Sequence, residues 1–185
     1  MFVEPAEVLA RWAYSDIAGT RAAAYDAAPD IETLRSKRRE GVVFHDLARD
    51  EREHLEHLCR TVRAPLMKYL DEVQQFVLKP MDRVDLAYLC VPLEAEQSDR
   101  SMSFAEYALR PQTEQNDARA AQSMLGGYKV PHDPLTVGRQ SLLLDGYHRA
   151  VTFWWFAGPG AKIDAYVPDR RKHSPRTADS VKHNC

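Results

Sequence analysis

Residues 141–155 read SLLLDGYHRAVTFWW, and this stretch decides how the second half of the chain is interpreted. The apolar run QSLLLD (140–145) has the length and composition of a buried strand. AVTFWWFAG (150–158) is an apolar segment that Gly158 can end as a helix. We therefore predict a strand, a turn over residues 145–149 and a helix, in that order.

A strand-to-helix turn of this kind is suited to binding an anion. Helix starts have unpaired N–H groups and a partial positive charge, and Gly146 allows a ligand to approach the backbone closely. A hydrogen bond to a charged group contributes about 1.5–3 kcal/mol, so Arg149 is expected to dominate binding. His148 adds a donor that can transfer protons near neutral pH. Asp145 is interpreted as a helix cap, a base or a ligand of a divalent metal that bridges to phosphates.

A purely structural interpretation of the same turn stands beside this one. Asp145 could cap the helix, Arg149 could pair with a carboxylate, and His148 could be a hydrogen-bonded core residue. The pattern alone leaves both interpretations open.

Upstream of residue 80 the apolar spacing is helical. PAEVLARWA (5–13) and DIETLRSKRRE (30–40) predict two helices, with Asp30 as N-cap of the second. Apolar residues then recur every three or four positions in two segments. The first contains Leu55, Leu58, Cys59 and Val62, and the second, after Pro65, contains Leu66, Leu70, Val73 and Val77. We expect amphipathic helices to about Phe76.

From residue 80 onwards the pattern changes to strands and helices together. RVDLAYLCVPL (83–93) predicts a buried strand, EAEQSDRSMS (94–103) a loop, and PQTEQNDARAAQSMLGG (111–127) a helix. PHDPLTVGR (131–139) and AKIDAYVP (161–168) predict further strands. The expected organisation is α+β, with a helical region over 1–79, a mixed-sheet domain over 80–168 and a polar tail over 169–185.

Composition is ordinary for a globular protein, with 44% hydrophobic and 28% charged residues and a formal net charge of −2. That charge gives no overall attraction to nucleic acid or to a membrane, and no apolar run approaches the ~20 residues that span a bilayer. The start of the sequence lacks a signal-peptide pattern, so a cytoplasmic protein is expected. We interpret the basic runs SKRRE (36–40) and DRRKH (169–173) as solvent-exposed.

Three segments together resemble the ParB/sulfiredoxin superfamily: GGYKVPHDPLTV (126–137), LLLDGYHRAVTFW (142–154) and AKIDAYVP (161–168). The resemblance covers about residues 84–168. The shared feature is the order of a strand, a D/G-G-x-H/R-R turn and a helix. It implies a small mixed-sheet domain whose turn binds nucleotide phosphates. The binding residues carried over are Gly146, Tyr147, His148 and Arg149, and Asp145 opens the motif.

Differences within that superfamily narrow the expected function. Tyr147 stands where sulfiredoxins have cysteine, and the sequence ends soon after Pro168 without the helix-turn-helix region of chromosome-segregation ParB proteins. The turn is most similar to the DGHHR turn of free-serine kinases.

The kinase resemblance implies transfer of phosphate from ATP or ADP, with Mg²⁺, to a small hydroxyl-bearing metabolite. Such kinases have a catalytic glutamate after their first strand, where this chain offers Glu94, which we prefer, and Glu96. Asp145 and His148 complete the expected catalytic set. The alternative is a non-catalytic nucleotide-binding or DNA-associated module whose N-terminal helices contact a partner.

Overall fold

The computed structural model describes residues 1–19, 21–70, 72–92, 101–110, 122, 127 and 133–169, and its fold class is α+β, as the sequence predicts. This part of the chain contains a five-stranded and a two-stranded sheet. The strands are β1 (Phe2–Val3), β2 (Phe76–Met81), β3 (Cys90–Pro92), β4 (Ser101–Ser103), β5 (Leu135–Val137), β6 (Leu143–Asp145) and β7 (Ile163–Pro168). The α-helices are α1 (Pro5–Asp16), α2 (Ile31–Arg39), α3 (Arg49–Val62), α4 (Ala64–Met67), α5 (Arg83–Ala87), α6 (Phe104–Leu109) and α7 (Tyr147–Phe156).

The larger sheet is mixed and has the strand order β1-β2-β7-β5-β6. β7 lies at its centre, antiparallel to β2 and parallel to β5. The β5–β6 pair is antiparallel, and Thr136 is paired with Asp145. This register places the end of β6, and therefore the start of α7, beside β5.

Both faces of this sheet are buried, because its side chains alternate between two hydrophobic clusters. Leu143 faces the cluster that contains Phe153 of α7, and its neighbour Leu144 faces the cluster formed with α1, α2 and α3. Tyr166 and Ala165 of β7 are divided in the same way. Successive side chains of a strand point to opposite faces, so the N-terminal helices cover one face and α5, α6 and α7 cover the other.

The predicted helices of the N-terminal region are confirmed as α1, α2 and α3. The prediction of helix up to Phe76 is wrong, because Phe76 and Val77 lie in β2 and pair with Pro168 and Val167 of β7. Asp30 precedes α2 but does not cap it with its side chain. Its backbone is left-handed, with φ of 57°, and its side chain makes no capping hydrogen bond.

The predicted strand over residues 83–93 is also wrong in its first half, which is α5. The carboxylate of Asp82 accepts hydrogen bonds from the N–H groups of Val84 and Asp85, at 2.8 and 2.9 Å. Asp85 in turn accepts one from the N–H of Asp82. This reciprocal capping starts a helix in an apolar run that otherwise has the composition of a strand.

β3 follows α5 and pairs with β4, so the last three residues of the predicted loop over 94–103 are a strand instead. Most of the predicted helix over 111–127 and the tail beyond Asp169 lie outside the described residues. The predicted order of strands and helix from residue 131 to 168 is confirmed by β5, β6, α7 and β7. The division proposed near residue 80 falls within β2 and remains a prediction. Among the described helices, none combines the length and apolar character needed to cross a membrane.

A buried ion pair connects the last residue of α1 to Arg63, the residue that follows α3. The Arg63 side chain donates from Nε and Nη2 to Oδ2 of Asp16, at 3.0 and 2.6 Å, and the Tyr25 hydroxyl donates to the same oxygen at 2.9 Å. The guanidinium also lies over the Trp12 ring, 5.0 Å from its centroid. Burial and the nearby Asp145 carboxylate raise the pKa of Asp16, while Arg63 opposes that rise.

Replacement of Arg63 by alanine is expected to lower the free energy of unfolding by about 3–5 kcal/mol, because it leaves the Asp16 carboxylate buried without its cation. Chemical denaturation followed by circular dichroism measures the change. Arg49→Ala, which removes an exposed ion pair with Glu53, is the control and should not change stability measurably. Equal stability of the two variants would contradict a structural role for the buried pair.

Candidate functional site

A cavity of about 500 Å³ lies between the N-terminal helices and the larger sheet. Its wall is built from α1, α2, residues 43–45, residues 133–134 and parts of β5, β6, β7 and α7. The charged side chains in the wall are three guanidinium groups and two carboxylates, from Arg11, Arg38, Arg149, Asp133 and Asp145. The net charge of these five groups is positive, and the volume of the cavity is in the range of small-molecule binding sites.

Arg149 of the predicted turn contributes to this wall and is held by two elements. Its Nη2 donates to Oδ2 of Asp145 at 2.7 Å, one helical turn away, and both side chains are largely buried. Its Nη1 lies 3.3 Å from the Ser15 hydroxyl oxygen of α1. Arg149 therefore does pair with a carboxylate, as the structural interpretation expects, and it also lines a cavity, as the binding interpretation expects.

Arg38 and Arg11 complete the basic wall, and each lies against an aromatic ring. The Arg38 guanidinium lies 5.0 Å from the centroid of Tyr14 and that of Arg11 lies 4.4 Å from the centroid of Phe44. Nη2 of Arg11 is also 2.6 Å from Nε2 of His45. Rings that pack against the guanidinium planes limit their motion, so these cations are held in place before any ligand binds.

Gly146 occupies the N-cap position of α7 in a left-handed conformation, with φ of +89°. A Cβ at this position would lie 2.5 Å from Cδ2 of Leu135 and 3.0 Å from Nη2 of Arg149. The absence of a side chain therefore allows the turn to form and leaves room for the Arg149 guanidinium.

Tyr147 and His148 are not in the cavity wall. The Tyr147 hydroxyl donates to the carbonyl oxygen of Leu143 at 2.5 Å, and its ring packs against Tyr107 on the opposite side of the sheet. Burial raises the pKa of Tyr147, and the Asp145 carboxylate adds to that rise. The backbone carbonyl of His148 accepts a hydrogen bond from Thr152. Of the five turn residues, the structure brings only Asp145 and Arg149 to the cavity.

The predicted catalytic glutamates, Glu94 and Glu96, lie outside the described residues. Within the described ranges no group of three or more His, Cys, Asp and Glu side chains could hold a metal ion. The two carboxylates of the cavity each contact a guanidinium. The described residues therefore offer no preformed all-protein site for Mg²⁺.

Sequence reasoning missed Arg11, Arg38 and His45 as cavity residues. Arg38 belongs to the basic run SKRRE, whose interpretation as solvent-exposed is wrong for this residue, because its side chain turns towards the sheet and contacts Asp133. Its neighbour Arg39 is 62% exposed, in agreement with the interpretation. An arginine within a charged helical face gives no sequence signal that it lines a cavity.

Gly146→Ala is expected to destabilise the protein by roughly 1–3 kcal/mol, since alanine is strained at a positive φ and its Cβ would collide with Leu135. Gly158→Ala, near the other end of α7, is the control: its Cβ would meet no atom within 4 Å and its φ is not positive. Thermal and denaturant unfolding of the two variants measure the difference. A Gly146→Ala protein as stable as the Gly158→Ala protein would contradict the role assigned to the left-handed turn.

Comparison of the chain with protein-family models, with curated proteins and with solved structures finds no significant match. Support for a function therefore comes from the residues of this cavity and from the motif of the turn over residues 145–149.

Proposed function

We propose that this chain binds the phosphate groups of a nucleotide in the arginine-lined cavity and transfers one of them to a small hydroxyl-bearing metabolite in the cytoplasm. The observation that carries the proposal is the convergence of Arg11, Arg38 and Arg149 on one cavity. ATP or ADP is the proposed phosphate donor, as the resemblance to free-serine kinases implies.

The guanidinium groups support the binding step. A guanidinium offers several N–H donors in a plane and suits phosphate oxygens better than any other side chain. Arg149 is fixed through Nη2 by Asp145, so Nη1 remains directed towards Ser15 and the cavity. The three arginines come from α1, α2 and α7, so phosphate oxygens could be contacted from several directions.

Aromatic and apolar side chains support the choice of an organic ligand over a free inorganic ion. Trp12, Tyr14, Phe44 and Tyr166 contribute to the wall together with Val8. Small-molecule cavities combine mostly apolar walls with a few polar groups that fix the ligand's orientation. A nucleotide, with an aromatic base and charged phosphates, has both properties.

Transfer needs a base, and Glu94 is our proposed base. Its carboxylate would take the proton of the acceptor hydroxyl while the hydroxyl oxygen bonds to the terminal phosphorus and the bridging oxygen leaves with the shortened nucleotide. No step is assigned to a protein-bound metal. Mg²⁺ enters the proposal as the counter-ion that nucleotide phosphates carry in solution.

A second candidate function is nucleotide binding without catalysis. It is favoured by one observation: of the predicted catalytic side chains within the described ranges, Asp145 is bound to Arg149 and His148 is absent from the cavity wall. Under this candidate, the ligand would regulate contacts that the N-terminal helices make with a partner.

Arg38→Met is expected to weaken the binding of ADP or ATP by about 10- to 100-fold, because it removes a charge-assisted hydrogen bond from the cavity. Arg39→Met is the matched control on the same helix, since the neighbouring side chain does not line the cavity. Isothermal titration calorimetry measures both. Equal losses in the two variants, or no binding by the unmodified chain, would count against the proposed site.

Glu94→Gln is expected to lower turnover about 100-fold or more while nucleotide affinity stays the same, because the amide cannot accept the hydroxyl proton. Glu96→Gln is the control and should retain turnover. Phosphorus NMR of each protein with ATP and pooled hydroxyl metabolites measures transfer. Nucleotide binding without any turnover by the unmodified chain would instead support the non-catalytic candidate.

A further inference from the structure

Asp133 lies between two of the guanidinium groups that line the cavity. Its Oδ2 is 2.6 Å from Nη2 of Arg38, and the same oxygen is 3.8 Å from Nη1 of Arg149. The Asp133 side chain is 44% exposed and that of Arg149 only 13%, so the carboxylate is located near the mouth of the cavity and Arg149 lies deeper. One carboxylate oxygen of the protein thus occupies a position shared by two arginines.

We infer that Asp133 occupies the place of the ligand's terminal phosphate and is displaced when the ligand binds. This inference rests on the proposed function, because it concerns the same cavity. A carboxylate and a phosphate offer the same chemistry to a guanidinium, a charged oxygen that accepts N–H groups, so they compete for the same donors. Asp133 therefore acts as an internal competitor that weakens binding until it is moved aside.

The contacts of Arg149 show why this position suits a stronger acceptor. Nη2 is bound tightly to Asp145 at 2.7 Å, whereas Nη1 contacts, among the residues that the structure describes, the Ser15 hydroxyl at 3.3 Å and the more distant Asp133. A phosphate oxygen placed between Arg38 and Arg149 could approach both guanidinium groups, which the short aspartate side chain does not achieve. The ligand would complete the coordination of Nη1.

The exposure of the two carboxylates indicates which one is exchanged. Asp145 is largely buried and pairs with Arg149 within one helical turn, so it is expected to remain in place. Asp133 is partly exposed, and a partly exposed ion pair contributes little to stability, so breaking it is easily compensated by a phosphate of higher charge.

The Arg38–Asp133 pair also crosses the mouth of the cavity. Arg38 belongs to α2, in the layer of N-terminal helices, and Asp133 precedes β5 of the sheet. Displacement of Asp133 would therefore replace a direct link between the two layers by a link through the ligand. The apparent affinity for the ligand is then the intrinsic affinity multiplied by the fraction of molecules in which this link is open.

The test compares the unmodified chain with Asp133→Asn and Asp133→Ala in titrations with pyrophosphate and with ATP at constant ionic strength. Both variants are expected to bind about five- to tenfold more tightly, because the competing charge is gone. Asp164→Asn removes the same charge from an exposed position outside the cavity wall and should leave the affinities unchanged. Thermal unfolding of each protein without ligand verifies that the variants are folded.

The outcomes separate this inference from the proposed function. If the unmodified chain binds ATP and both Asp133 variants bind it equally or more weakly, Asp133 does not compete with the ligand, and the inference fails while the proposed function stands. If none of the proteins binds pyrophosphate or ATP, both fail together. Binding of ATP by the unmodified chain together with tighter binding by both Asp133 variants supports the internal competitor.

Discussion

The ion pair of Arg63 with Asp16 holds in place the helix on which the cavity depends. It is buried between α3 and α1 and is reinforced by the hydroxyl of Tyr25. The residues of α1 that face the cavity, including Arg11, Trp12 and Ser15, lie within one or two turns of Asp16. A change in the position of α1 would therefore move about a third of the residues that line the cavity, and a buried pair of this kind tolerates little displacement.

The three arginines of the cavity illustrate how a protein keeps cations available in a partly buried place. Each is paired with a carboxylate: Arg11 with Glu7, Arg38 with Asp133, and Arg149 with Asp145 and, at the longer distance of 3.8 Å, with Asp133. Unpaired buried charges are costly, so these partners stabilise the ligand-free protein. Because the pairs differ in exposure, they also differ in how easily an incoming anion can exchange them.

The sequence could predict those parts of the fold in which one local pattern of apolar residues and turns is not overridden by another interaction. The order β5, β6, α7, β7 follows from short apolar runs separated by glycine-containing turns. Residues 83–93 have the apolar composition of a strand, but a capping pair, Asp82 and Asp85, starts a helix there. Phe76 and Val77 continue a helical spacing, yet they belong to β2 because β7 offers them hydrogen-bonding partners. Long-range pairing of that kind is invisible in a local pattern.

The residues of the candidate site could likewise be predicted from the sequence only in part. The turn that contains Asp145 and Arg149 has a local motif and could be found from the sequence, whereas Arg38 is one arginine among several on a charged helix. Tyr147 and His148 belong to the motif but not to the cavity wall, since a helix start directs its successive side chains to different sides. A motif identifies the turn; only the packing of α1 and α2 on the sheet decides which side chains meet.

The wall of the cavity joins residues that are far apart in the chain, from Val8 in α1 to Tyr166 in β7. No single supersecondary unit contains enough of it to hold a ligand. A fragment limited to the N-terminal helices, or to the strands that follow residue 131, would therefore lack a large part of the wall. A complete wall therefore forms only when these non-local contacts are made, and under the proposed function a bound nucleotide would stabilise the whole chain.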